Sequence, residues 1–244
     1  MNIAKIRAAI PGRRIDYYPS LDSTMRAAAQ LETGAVVFAD EQTAGQGRHG
    51  HTWHSEAGQG VYFSMALPPA PVLTLALGLA AAEAIAQTYG IACDLRWPND
   101  LMLDGAKVGG ILVQLVEGKA IAGIGINVNQ TAFPPGLEAT SLRLAGQAAA
   151  CRPVRPPPEL PREDLAIALI RAVDGFAAEN QETILRLFPH ASSYAAGRRV
   201  TVDLPDGRIQ GTTAGLNPEG FLIVRKDDGT DTLILAGGVR AAGS

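Results

Sequence analysis

The sequence predicts an α/β chain that ends in a small β-barrel module. Two observations carry that expectation. Apolar, strand-forming runs such as Ala35-Val36-Val37-Phe38-Ala39 and 60–67 are interspersed with helical stretches as far as about residue 191. From about Ser192 the character changes to four short strands, 199–203, 208–214, 220–226 and 230–235. Turns containing Asp206-Gly207, Pro218-Glu219-Gly220 and Asp228-Gly229 separate them, a density that suits a small barrel.

Bulk properties narrow the class. The chain has 244 residues, of which 47% are hydrophobic and 18% charged, so a sizeable core is expected and global disorder is not. A net charge of -3 argues against a general nucleic-acid or membrane-surface binder. Cys93 and Cys151 make neither a disulfide framework nor a metal-ligand spacing, and a reduced, cytoplasmic setting is expected. Met1 to Arg14 holds too short an apolar run for a signal peptide. The longest apolar stretch, Val72 to Ala86, carries Glu83 and falls short of a membrane span.

Taken in order, Ile15-Asp16-Tyr17-Tyr18 reads as a first strand. A helix capped by Asp22 or Ser23 should run to about Thr33 and end at Gly34. Ser23 and Thr24 either cap it or turn their hydroxyls toward a small polar ligand. Residues 72–89 begin after Pro71 and stop at Gly90, as a mostly buried helix does. A strand should end at Trp97, because Pro98 biases its predecessor to extended geometry. Pro98-Asn99-Asp100 turns the chain, and Asp104-Gly105 makes a second, tight turn. Lys107 then opens a strand whose remainder is almost wholly apolar. Such a lysine is either exposed at the strand end or faces inward and needs an anionic partner. After a turn at Glu117-Gly118-Lys119, residues 120–129 form another strand, on which Asn127 and Asn129 share one face. Residues 130–161, with Pro153, Pro156, Pro157, Pro158 and Pro161, are expected to be irregular. Helical periodicity returns over Glu163 to Glu179, with a short continuation over Glu182 to Phe188.

The stretch most suggestive of chemistry lies between two of the core strands. Glu41-Gln42-Thr43-Ala44-Gly45-Gln46-Gly47-Arg48-His49-Gly50-His51-Thr52-Trp53 is glycine-rich and polar. Glycine permits close backbone approach to a ligand, and successive N–H groups in such a loop can hold an anion. Arg48 adds a planar fork of donors for carboxylate or phosphate. The loop is not a P-loop, since no Gly-Lys-Ser/Thr ends it. Nor does it open a helix in a dinucleotide-binding unit.

These stretches together resemble the biotin protein ligases, in the expected order and over roughly residues 15–240. Ser23-Thr24-Met25 is similar to that family's Ser-Thr-Asn segment, with methionine for asparagine. Residues 45–53 resemble Gly-Arg-Gly-Arg-Arg-Gly-Arg-x-Trp, and Gln42 matches the glutamine before it. Arg96-Trp97-Pro98-Asn99-Asp100 resembles Lys-Trp-Pro-Asn-Asp. Lys107-Val108-Gly109-Gly110-Ile111-Leu112 and Gly123-Ile124-Gly125-Ile126-Asn127 match two further family segments. The resemblance implies a mixed-sheet α/β (α+β) catalytic domain of the biotin/lipoate ligase type over 1–191 and an SH3-like β-barrel over 192–244. Larger members carry an N-terminal DNA-binding module, so with about 14 residues before the first strand this chain is expected to be the short form.

The resemblance also implies an activity: biotin is joined to ATP as biotinyl-AMP, then transferred to a lysine of a carboxylase carrier domain, with Mg2+. Lys107 and Arg48 become the catalytic candidates. Ser23, Thr24, Met25, Gln42, Gln46, Gly47, Arg48, Trp53, Lys107 and Leu112 become the biotin contacts. Arg48, Asn99, Lys107 and Asn127 become the nucleotide contacts, and no residue is assigned as a metal ligand. Asp100 either meets the incoming carrier lysine or is a turn residue. The expected partner is the carrier domain, with no nucleic acid or membrane, and a sheet edge either pairs two copies of the chain as a homodimer or docks that domain. Gln46, His49 and His51 stand where the family pattern has arginine, so the loop carries less fixed positive charge. Two alternatives stay open. One is a biotin-binding or sensing module without catalysis. The other is lipoate or octanoyl transfer on the same fold, although octanoyl transfer needs a cysteine nucleophile and neither Cys93 nor Cys151 lies in a motif that would expose one.

Overall fold

The computed structural model describes residues 1–149, 159–204 and 207–242. Cys151, Pro153, Pro156, Pro157, Pro158 and Asp206 lie outside the described residues. The first half of the chain runs α1 (Ile3–Ala9), β1 (Ile15–Tyr18), α2 (Thr24–Ala29), β2 (Val36–Ala39), β3 (Gly60–Leu67), α3 (Leu73–Tyr89), β4 (Asp94–Arg96), β5 (Asp100–Leu103), β6 (Ala106–Val116) and β7 (Lys119–Asn127). After it come α4 (Leu142–Ala149), α5 (Arg162–Ala178), α6 (Gln181–Leu187) and five strands, β8 (Ala196–Leu204), β9 (Gly207–Leu216), β10 (Leu222–Arg225), β11 (Asp231–Ile234) and β12 (Gly238–Ala241).

Seven strands form a mixed sheet in the order β1-β2-β3-β7-β6-β5-β4, in which only β1 and β2 run parallel. Alternation along the strands sorts its two faces. Val61, Phe63 and Met65 of β3, with Ala122, Ile124 and Ile126 of β7, face a core closed by α1, α3 and α5. On the opposite face, Ser64 and Ala66 of β3 and Ile121, Gly123 and Gly125 of β7 meet α2 and the glycine-rich loop. Small residues keep the middle of that face shallow, which leaves room for a ligand.

The helix at α2 is shorter than expected. It stops at Ala29 instead of about Thr33, and Lys119 Nζ donates to the carbonyls of Ala29 and Leu31 at 2.9 and 2.7 Å. A lysine supplied from another element thus ends the helix four residues early, which no local signal announces. Three further differences are additions. Helix α1 precedes the first strand, and α4 lies inside the stretch read as irregular. A fifth strand, β12, joins the four expected in the tail.

The C-terminal strands make an antiparallel sheet in the order β11-β10-β9-β8-β12. Its buried side chains, among them Val200, Val202, Leu222 and Val224, belong to the same apolar cluster as Leu77 and Phe188. Ser192 Oγ donates to the Leu95 carbonyl at 2.6 Å, which ties the start of this module to β4.

Candidate functional site

The residues assigned from the sequence to catalysis, biotin and nucleotide all line one cavity of about 1220 Å³ on the shallow face of the mixed sheet. Three elements bring them there: the start of α2, the glycine-rich loop and the β4–β7 hairpins.

At one end the groups are neutral and polar. Ser23 occupies the cap position of α2 yet makes no capping bond, and its buried Oγ has no partner. The capping role is therefore excluded for its side chain, and the hydroxyl is left for something else. Thr24 is fixed by its neighbours. Its N–H and Oγ1 both donate to Gln42 Oε1, at 2.9 and 3.0 Å, and its hydroxyl lies 2.8 Å from Ser64 Oγ. Since the Thr24 proton goes to Gln42, Ser64 is the donor of that pair. Gln42 Nε2 donates in turn to Ser55 Oγ at 2.8 Å. The Gln42 amide is engaged within the protein on both sides, so its place in the site is to aim Thr24.

The middle of the cavity is apolar and built on glycines. Met25 lies over Gly123, where a Cβ would stand 2.7 Å from its sulfur. Trp53 lies against Gly125 and Gly110, where a Cβ would stand 2.5 and 3.3 Å from its ring. Leu112 completes this wall. The indole Nε1 of Trp53 is buried without a partner.

The other end is cationic. Lys107 Nζ pairs with Asp100 Oδ1 at 2.5 Å and sits 5.6 Å from the Trp53 ring centroid. The exposed-lysine reading fails, and the anionic partner is Asp100. Arg96 closes on the other oxygen of the same carboxylate through Nε and Nη2, at 3.1 and 2.7 Å. A bulge explains why Lys107 reaches the site. Leu101 of β5 pairs with Gly109, but the next residue, Met102, pairs with Lys107, so β6 carries one extra residue. Strict alternation would place Lys107 with Gly109 and Ile111. Instead it shares a face with Gly110, where a Cβ would come 3.2 Å from Lys107 Cε.

Arg48 Nη1 donates to Asn99 Oδ1 at 3.1 Å, and burial pushes its guanidinium below the ordinary value while the Asp100 charge opposes that. A desolvated arginine with one neutral partner is poised for an anion. Asn99 is held in place by Ile111: its Nδ2 donates to the Ile111 carbonyl at 2.9 Å, and its own carbonyl accepts the Ile111 N–H at 2.9 Å. Asn127 is likewise engaged, donating to the Thr140 carbonyl at 3.1 Å and accepting from Gln130 Nε2 at 3.3 Å. Gln46 and Gly47 line the loop side, but the Gly47 N–H donates to the His51 carbonyl at 2.7 Å and is not among the donors offered to a ligand.

Among the described residues, three buried side-chain polar atoms lack a hydrogen-bond partner: Ser23 Oγ, Trp53 Nε1 and Gln130 Oε1. All three residues line this cavity. Orphaned buried groups are costly, and their gathering in one place marks a site completed by a ligand.

Sequence reasoning missed two parts of the wall. The loop around Phe133, Pro134 and Leu137 closes one side, and the turn at Ala236-Gly237-Gly238 with Val239 and Arg240 closes another. The first lay in a stretch with no periodic signal. The second belongs to a module that composition marks as a separate unit.

Comparison with known proteins gives consistent results. The biotin/lipoate A/B protein ligase family matches residues 17–130, and the biotin protein ligase C terminal domain matches residues 196–239. The biotin--[acetyl-CoA-carboxylase] ligase of Mycobacterium tuberculosis is 31% identical over 89% of this chain and 82% of its own length. The bifunctional ligase/repressor BirA of Bacillus subtilis is 30% identical over 92% of this chain and 73% of its own. Among solved structures, the biotin protein ligase of Aquifex aeolicus in complex with biotin and ATP superposes with a TM-score of 0.81. It is 28% identical and covers 94% of this chain and 99% of that one.

Proposed function

The chain belongs to the biotin protein ligase family and is a biotin ligase, and from that premise we propose that it activates biotin as biotinyl-AMP and transfers it to a lysine of a biotin carboxyl carrier domain. The observation that carries this reading is the order of groups along one cavity. A neutral polar end at Ser23 and Thr24 suits the ureido ring. The apolar stretch at Met25, Trp53 and Leu112 suits the bicycle and side chain. The cations Lys107 and Arg48 stand where the carboxylate and nucleotide phosphates would meet.

In the first step a biotin carboxylate oxygen bonds to the α-phosphorus of ATP, and the bond to pyrophosphate breaks. Two anions must be brought together, so cations that hold the developing charge lower the barrier most. Lys107 leaves Asp100 for the carboxylate and α-phosphate, and Arg48 holds the phosphate. In the second step a carrier lysine amine attacks the mixed anhydride, and AMP departs. Asp100, freed from Lys107, faces that amine. Asn99 and Asn127 stand on the nucleotide side. Magnesium, where bound, would neutralise charge on the triphosphate, and Asn99, whose Oδ1 accepts from Arg48 here, would be the side chain placed to hold it. Among the described residues, no three His, Cys, Asp or Glu side chains converge as a metal cage.

Octanoyl transfer is disfavoured further by Cys93, whose thiol burial pushes up to about 12. Cys151 lies outside the described residues. The discriminating experiment is biotin-dependent exchange of labelled pyrophosphate into ATP. Exchange with biotin supports the ligase reading; folded protein that binds biotin without exchange supports a sensing module.

Ser23→Ala should weaken biotin binding about three- to ten-fold, the worth of one neutral hydrogen bond, while leaving the melting temperature equal or slightly higher. Calorimetry and thermal melts on the same variant check both halves. A lower melting temperature with unchanged biotin affinity would return Ser23 to a structural role.

The loop's chemistry predicts leaky retention of the intermediate. His49 and His51 are exposed at the cavity rim, in place of arginines. Biotinyl-AMP should dissociate roughly ten-fold faster than from an arginine-rich homologue, because the loop offers fewer fixed charge-assisted donors to the phosphate. An off-rate equal to the homologue's would refute this.

A further inference from the structure

The turn Trp97-Pro98-Asn99-Asp100 holds both cations of the site, though neither belongs to it. Asn99 accepts from Arg48, and Asp100 pairs with Lys107. On one side the turn is fixed by the bonds between Asn99 and Ile111. On the other it is fixed by Trp97, which is 3% exposed and whose indole Nε1 donates to the carbonyl of Gly220 at 3.0 Å. Gly220 lies in the C-terminal module, in the loop just before β10.

That carbonyl is itself aimed. Gly220 has φ +84, a conformation that side chains resist, and a Cβ there would stand 2.6 Å from Val72 Cγ1 and 3.2 Å from Leu75 Cδ1 of α3. Asn217 closes the loop around it. The Asn217 carbonyl accepts the Gly220 N–H at 2.9 Å, and Asn217 Oδ1 accepts the Phe221 N–H at 2.8 Å. The acceptor is therefore rigid, and so is the indole that it holds.

We propose that Trp97 is a positioning residue through which the C-terminal module sets the adenylation centre. The chain of contacts is short: Gly220 carbonyl, Trp97 indole, then Asn99 and Asp100 two and three residues on, then Arg48 and Lys107. The proposal rests on the roles given above to those two cations. Its physical basis is that displacing reacting groups by about 1 Å costs on the order of a hundred-fold in rate. Removing the indole donor leaves the Gly220 carbonyl buried without its partner, and the turn relaxes away from it. The biotin-facing end is not on this path, because Thr24 is held by Gln42 and Ser64.

The test replaces Trp97, in the full chain, with β-(3-benzothienyl)alanine, which keeps the ring shape and has sulfur in place of N–H. Trp97→Phe serves as a second variant. In pyrophosphate exchange, kcat should fall about ten- to a hundred-fold while KM for biotin stays within about two-fold. In an Asp100→Asn background the same replacement should cost several-fold less than in wild type, because the Lys107 arm of the path is already cut while the Asn99–Arg48 arm remains. A variant that melts earlier but keeps kcat within about two-fold overturns the proposal, as does an equal loss in both backgrounds. Lys107→Ala in parallel separates the two claims. If that variant is inactive while Trp97 variants are normal, this inference alone fails; if it retains exchange, the reading of the site fails and this inference with it.

Discussion

Lys107→Ala is expected to lower biotin-dependent pyrophosphate exchange by about a hundred- to a thousand-fold, the usual cost of removing one preorganised charge from a developing anion. The resting geometry gives the reason. Lys107 is not idle at the strand end; it is stored on Asp100, beside Trp53, with Arg96 on the carboxylate's second oxygen. Three cations, Arg48, Arg96 and Lys107, thus cluster about one carboxylate. When biotin and ATP arrive, Lys107 exchanges one anion for two, and Arg96 keeps Asp100 from being left buried and unpaired. The same arrangement predicts that Lys107→Ala folds normally, since Asp100 retains Arg96. Lys107→Arg should recover part of the rate, because the charge persists while its geometry changes. Exchange within about three-fold of wild type in the alanine variant would remove Lys107 from the chemistry.

How much of this could be read from the chain follows from the range of the forces involved. The glycine-rich loop, the apolar strands on either side and the Ala- and Leu-rich helix are written locally, in turn chemistry and in periodicity. Their ordered segments were also what pointed to biotin ligation. The facing of Lys107 was not local. It depends on the extra residue that β6 inserts against β5, and alternation read from the sequence would have put it with Gly109 and Ile111. Its partner Asp100 read as part of a turn and stayed ambiguous until β5 paired with β6. The early end of α2 likewise depends on Lys119, 90 residues from the carbonyl of Ala29 that it caps. Ser23 shows the converse. Its position is that of a cap, and its missing cap bond emerges only in three dimensions. The contribution of the C-terminal turn to the cavity wall could not be read at all, because composition separates modules and says nothing about where they touch.

The glycines of β7 give the second large effect. Gly125→Val is expected to weaken biotin binding by about ten- to a hundred-fold and to lower exchange with it, without unfolding the sheet. A Cβ at Gly125 would stand 2.5 Å from Trp53 Cε2 and Nε1, far inside contact distance, so the indole must leave the wall. Valine is itself well suited to a strand, and the opposite face of β7, with Ile124 and Ile126 in the core, is untouched. The loss should therefore fall on the site. Moving the indole removes the apolar wall, takes away the unpartnered Nε1 and uncovers Lys107, which it flanks at 5.6 Å. The decisive comparison is a double-mutant cycle. If Gly125 matters by making room for Trp53, then in a Trp53→Ala background Gly125→Val should cost less than about three-fold in biotin affinity. Equal costs in both backgrounds would mean that Gly125 acts through direct backbone approach to the ligand, and that the packing of Trp53 against it is incidental. Tryptophan fluorescence of the single variant reads the same event independently, since Trp97 is 3% exposed with its indole N–H on the Gly220 carbonyl and its signal should stay that of a buried indole, whereas Trp53 should shift toward that of a solvated one.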